Sequence, residues 1–164
     1  MQLEVDIEGP WPAGAWETLA EQAAVAAGRV VPELGKARLS VSILFTSDSE
    51  IHALNREWRQ RDKPTNVLSF PMLARAELLG LSAEGPPVLL GDIALAHETC
   101  AREAVERGIA LGDHATHLLV HGLLHLAGYD HEISAADAEA MEALETKALA
   151  ICGIADPYGD RTAS

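Results

Sequence analysis

Five of the seven histidines fall between positions 114 and 131, in the run His114-Ala115-Thr116-His117-Leu118-Leu119-Val120-His121-Gly122-Leu123-Leu124-His125-Leu126-Ala127-Gly128-Tyr129-Asp130-His131. No other segment restricts the fold as much. Each residue of an α-helix turns by about 100°, so side chains four apart stand one turn above each other on one face. His121 and His125 can therefore share a metal ion from a helix, each at about 2.0–2.1 Å for zinc. Gly128, three residues past His125, is the residue type that lets a chain leave a helix through a left-handed turn. The chain can then swing His131 over the same ion as a third ligand. Three neutral imidazoles leave zinc an open fourth position for water, whose pKa the ion lowers from about 15.7 toward about 7. Nickel and other ions also accept three imidazoles. His114 and His117 share part of this face, and for them ordinary packing is the simpler reading, with His117 placed to support the ligands from behind.

The spacing His-x3-His-x5-His, with glycine in the second gap, is that of the metzincin peptidases. Those enzymes carry Glu directly after the first histidine as general base. Here the position is Gly122, which cannot take a proton. A peptidase built on this segment would need a carboxylate from elsewhere, such as Glu132 or Glu98.

Leu3, Val5 and Ile7 alternate with polar residues, the period of a half-buried strand. A helix is predicted over about 13–27, ended by Gly28, with Pro32 opposing continuation. Leu39, Val41, Ile43 and Phe45 mark a second strand. Ser47-Asp48-Ser49-Glu50 reads as a capping box opening a helix that carries Ile51, Leu54, Asn55 and Trp58. Asn66 to Phe70 reads as a third strand stopped by Pro71. Residues 72–87, with Gly80, Gly85 and Pro86-Pro87, look irregular. Val88 to Ala96 is the fourth strand, kinked at Gly91-Asp92. Helices follow at about His97–Arg107, Gly112–Ala127, and from Ser134, with Asp137 three residues on, to about Ile151. The expectation is one α+β (mixed α/β) domain over 1–151, a sheet of about four strands covered by about five helices, with the metal site on the central histidine-bearing helix. Residues 152–164 read as a tail.

The charge of -13 over 164 residues argues against a general nucleic-acid binder, since a polyanion is repelled at long range. Positive charge is nevertheless concentrated: of twelve Lys and Arg residues, Arg56, Arg59, Arg61 and Lys63 lie within eight positions. Any anion-binding surface is expected there. Cys100 and Cys152 suggest no disulfide framework, and no apolar run approaches the roughly 20 residues of a membrane span. With the acidic, alternating start at Met1-Gln2-Leu3-Glu4, a reducing, cytoplasmic location is expected.

His121 to His131 resembles the signature of the bacterial endoribonuclease YbeY family, also described as rRNA maturation factors. Arg59-Gln60-Arg61-Asp62-Lys63-Pro64-Thr65-Asn66-Val67-Leu68-Ser69-Phe70-Pro71 is similar to a second block of that family, and Gly91-Asp92-Ile93 to a third. Together they span most of positions 54–131, in the family's order. The resemblance implies a zinc-dependent, single-strand-selective endoribonuclease acting in ribosomal RNA maturation and ribosome quality control, with ribosomal RNA and the small ribosomal subunit as partners. It implies His121, His125 and His131 as ligands of one Zn2+ per chain, and Arg59 as the functionally important arginine. Trp58 departs from the tyrosine frequent in the family, which touches packing more than chemistry. The other readings are a metallopeptidase lacking the usual Glu and a non-catalytic, zinc-containing ribosome-assembly factor.

Overall fold

The computed structural model describes residues 1–129 and 134–158. Four strands, β1 (Gln2–Ile7), β2 (Leu39–Thr46), β3 (Val67–Pro71) and β4 (Val88–Ala96), form one sheet in the order β1-β2-β4-β3. β1, β2 and β4 run parallel, and β3 lies antiparallel to β4 at the end of the sheet. Six helices accompany them among the described residues: α1 (Trp16–Val30), α2 (Asp48–Arg59), α3 (Arg75–Gly80), α4 (His97–Arg107), α5 (Leu111–Leu126) and α6 (Ala135–Ile151). The α+β reading and the four strands hold.

α5 is the central helix, touching α1, α4, α6, β3 and β4. Apart from Asp113, Thr116 and its histidines the helix is apolar, and most of it is buried. α1 approaches it closely because Ala20, Ala23, Ala24, Ala26 and Ala27 present almost no bulk. Trp11, Trp16 and Phe45 close the far end of this core edge to face, the Trp11 ring lying 4.8 Å from Trp16 and 5.0 Å from Phe45. The opposite face of the sheet is covered by α2 through a smaller cluster of Ile51, Leu68, Ala94 and Ala96. Trp58, on the last turn of α2, is 65 % exposed, whereas Trp11 and Trp16 are 6 % and 8 % exposed.

Three sequence expectations change. Pro71 does not stop the third strand but is its last residue, paired with Gly91. Gly28 does not end α1, which continues to Val30. Its role is close packing: a Cβ there would meet the Gly35 Cα at 3.4 Å, in the 3-10 turn Pro32–Gly35 that Pro32 does open. Residues 72–87 supply the sixth helix, α3, and their order is imposed from β2's approach. Lys36 Nζ donates to the Leu78 and Leu81 carbonyls (2.7 and 2.8 Å), and Arg38 gathers Pro86 O, Ser82 Oγ and Glu84 O. At the β4 kink the register slips between Ser40 and Val41, leaving Leu90 as the extra residue of a bulge. The next residue must be glycine, because a Cβ on Gly91 would lie 2.5 Å from the Phe70 carbonyl oxygen.

Candidate metal centre and nucleic-acid cleft

A cleft of about 550 Å³ opens between α5, β3 and the loop after α2. His117, His121 and His125 reach it from successive turns of α5, and the His121 and His125 rings stand 4.8 Å apart between centroids. The helix then ends as its glycine predicts. Gly128 has φ 100°, its N–H donates to the His125 carbonyl (2.9 Å), and the Tyr129 N–H donates to Leu124 O (3.0 Å). His131, with Asp130 and Glu132, lies outside the described residues. Among the described residues no third His, Cys, Asp or Glu completes a metal-holding group with the pair.

Behind the pair sits a carboxylate that sequence reading missed. Glu145, on α6, has a side chain only 1 % exposed, and its Oε1 accepts from His121 Nδ1 (2.8 Å) and His117 Nε2 (3.2 Å). Its Oε2 accepts from the Tyr158 hydroxyl (2.9 Å). Burial alone would disfavour the charged carboxylate, but the hydrogen bonds from His117 and His121 outweigh it and hold the carboxyl down at about 2. An ionised acceptor at Nδ1 fixes the tautomer of His121, with the proton on Nδ1 and the lone pair on Nε2. A carboxylate-backed imidazole is the donor a divalent transition metal takes, so His121, with His125 one turn on, fits such an ion. The signal lay in α6 itself: Glu145 interrupts an apolar stripe of Met141, Ala148 and Leu149 at helical spacing, all buried. The chain after α6, read as a tail, brings Tyr158 back against His117.

The rim of the cleft is cationic. Arg59, Arg61 and Lys63 line it, joined by Arg107 from the last turn of α4, while no Asp or Glu lines it among the described residues. Arg56 turns elsewhere: it stands 4.0 Å from Asp62, which also accepts from His52 Nε2 (2.6 Å). The basic loop is pinned by Asn55, 2 % exposed, whose Nδ2 donates to Lys63 O (2.8 Å). Its first residue, Gln60, takes the left-handed conformation (φ 53°) that ends α2 and turns the chain toward β3.

Gly122 faces the sheet and not the cleft, and a Cβ there would meet Ile93 Cδ1 at 3.0 Å. A carboxylate at this position would enter the core. Glu98 does not replace it, since its Oε1 accepts from the Asp48 N–H at the start of α2 (3.1 Å).

A model of the endoribonuclease YbeY family matches residues 11–153. The chain belongs to that family. It is 67 % identical over 162 residues to endoribonuclease YbeY of Erythrobacter litoralis, covering 99 % of this chain and 100 % of the relative. It is 60 % identical to the same-named protein of Novosphingobium aromaticivorans, with 95 % of each chain covered. The solution structure of TM1509 from Thermotoga maritima shares the fold, with a TM-score of 0.60 at 23 % identity over 99 % of this chain and 93 % of that one. No helix among the described residues is long and apolar enough to cross a membrane.

Residues 72–87 brace the helix exit in this family member. Arg75 Nη1 donates to Ala127 O (2.7 Å), an end carbonyl of α5, and Nη2 pairs with Glu33 (3.0 Å). The guanidinium also lies 4.7 Å over the Tyr129 ring. Arg75→Ala is expected to destabilise the fold by about 1–2 kcal/mol in urea unfolding, because a helix-end carbonyl and Glu33 lose one shared donor. Arg75→Lys should recover less than half of that, since a point charge cannot serve both partners and the ring. A wild-type midpoint for Arg75→Ala would show the contacts to be incidental.

Proposed function

We propose that this chain is a metal-dependent endoribonuclease that cuts single-stranded RNA during ribosomal RNA maturation and ribosome quality control in the cytoplasm. One observation carries the reading. A chain of net charge -13 gathers four cations and no carboxylate around a cleft floored by His121 and His125, with Glu145 behind His121. That is an arrangement for a polyanion reacting beside a metal. Membership of the endoribonuclease YbeY family supports the same substrate class.

His121, His125 and His131 would hold the ion, for which zinc suits three imidazoles. When bound, it supplies Lewis acidity at a phosphoryl oxygen and acidifies water. The remaining work falls to the chain's own side chains. Arg59 offers two parallel N–H donors to the non-bridging oxygens, where negative charge grows in the transition state. Arg61, Lys63 and Arg107 hold the flanking backbone, and Glu145 keeps His121 in its required tautomer. The acidic remainder of the surface repels RNA that no partner presents, so binding of free RNA is weak and falls with salt.

Metal analysis and cleavage of a single-stranded ribosomal RNA fragment, run on the same preparations, test this. His125→Ala is expected to lose both metal and cleavage. Arg59→Ala should keep its metal while turnover falls by about 10²–10³-fold. Full cleavage by a metal-free preparation would sink the metal. Absence of cleavage at any metal concentration, with cellular function retained in Arg59→Ala, would favour a non-catalytic assembly factor. The product ends separate attack by water from attack by the RNA 2′-OH, because a 2′,3′-cyclic phosphate excludes direct attack by water on phosphorus.

A further inference from the structure

β3 is the last strand of the sheet, so one of its edges has no strand beside it among the described residues. Which main-chain groups occupy that edge follows from the register. The Ala96 N–H donates to Asn66 O and the Met72 N–H donates to Leu90 O, both at 2.9 Å. In an antiparallel pair the residues that exchange hydrogen bonds alternate with those that face away. Residues 66, 68, 70 and 72 therefore serve β4, while Val67, Ser69 and Pro71 turn their main chain outward. Pro71 agrees with this assignment, since a residue without an N–H is tolerated in a strand where that N–H would point away from its neighbour.

The outward edge is not covered solvent-side surface of the ordinary kind. Val67, Ser69 and Pro71 line the same cleft as His121 and His125. An unpaired edge is a liability that folds normally blunt, yet here it forms a wall of the candidate active site. The wall is also held in place. Asn66 Nδ2 donates to Glu103 Oε1 (3.0 Å), and the same oxygen accepts from the fully buried His114 (2.9 Å), fastening the start of β3 to α4 and α5.

We propose that this edge is the track on which the RNA backbone lies, with the Val67 and Ser69 N–H groups donating to phosphate or ribose oxygens of the strand in the cleft. The inference rests on reading the cleft as an RNA site. Two such N–H groups stand about 6.8 Å apart along a strand. They are fixed donors that lose no side-chain freedom on binding, and they suit an extended, unpaired chain. An exposed edge can also take a peptide strand. Charge decides between the two: Arg59, Arg61, Lys63 and Arg107 surround the edge with positive charge that a peptide backbone cannot use and a phosphodiester backbone can.

Ser69→Pro deletes an outward N–H and leaves the hydrogen bonds of residues 68 and 70 to β4 in place. Compared with Ser69→Ala, so that the N–H is the difference measured, it is expected to raise KM for single-stranded RNA about tenfold at unchanged metal content. Equal KM values in the two variants, with RNA still cleaved, would overturn the track while leaving the endoribonuclease reading intact. Because proline can also strain the strand, the second measurement uses the wild-type, metal-loaded chain and a single-stranded 2′-O-methyl oligonucleotide. The amide resonances of Val67 and Ser69 should shift on titration, and those of Leu68 and Phe70 much less. Shifts confined to the basic loop, or edge shifts produced by an extended peptide and not by the oligonucleotide, would overturn it. A wild-type chain that neither binds nor cleaves RNA would overturn both readings together.

Discussion

Glu145→Ala is expected to destabilise the fold by about 3–5 kcal/mol and to weaken metal binding by about 10–100-fold. The carboxylate is the acceptor for His117, His121 and the Tyr158 hydroxyl, in a place that water does not reach. Removing it takes away the buried acceptor that these three groups share, and loss of a buried charged acceptor costs more than a typical hydrogen bond contributes. It also frees His121 to adopt the other tautomer. Urea midpoints of the metal-free proteins measure the first effect, and competition against a chelator measures the second. A variant as stable as wild type would mean that the three donors find other acceptors.

The same group sets the acid limb of stability. Its carboxyl ordinarily titrates near 4.5 and is held at about 2 in the fold, so the folded state binds the proton less readily than the unfolded chain. The stabilisation is complete above pH 4.5 and is lost as pH falls from there toward 2. His114 acts earlier. Burial pushes its imidazole below 6.5 against the opposing pull of Glu103, so the fold begins to lose stability as soon as pH drops below 6.5. Glu145→Gln should therefore make the limb below pH 4.5 shallower, leaving the part that Glu103 contributes and the decline that starts at 6.5.

The second large effect concerns the position where related peptidase motifs carry their general base. Gly122→Glu is expected to cost about 3 kcal/mol or more and to confer no peptide hydrolysis. Ile93, 1 % exposed, stands 3.0 Å from the site of the new Cβ, so the side chain has neither room nor water for its charge. Gly122→Ala needs only a few tenths of an ångström from Ile93, and better helix propensity offsets that, so it should stay within about 1 kcal/mol of wild type. Casein digestion by Gly122→Glu at wild-type stability would refute the argument.

Much of this was legible in the residues because the signals were local. α4 reads at its observed bounds, and the starts of α2 and α6 follow from Ser47 and Ser134, whose hydroxyls accept from Glu50 N–H and Asp137 N–H. The helical histidine pair and its glycine exit were also visible, because one turn of helix contains the whole argument. What failed was long-range. The order of residues 72–87 comes from Lys36 and Arg38, more than forty positions away, and no local pattern carries it. Gly28 reads as a stop in the sequence because its packing partner, Gly35, lies beyond the helix. Arg107 joins the basic rim only through the placement of α4, and Glu145 reaches His121 across 24 positions.

The three tryptophans divide unequally between core and surface, and that gives the chain two optical channels. Trp11 and Trp16, nearly sealed from water, should emit at shorter wavelength and report loss of the packed state. Trp58, most of its surface in solvent, emits further to the red and is the ring that iodide can quench. Fluorescence of the unlabelled chain can thus follow unfolding and events at the end of α2, beside Arg59, in the same cuvette.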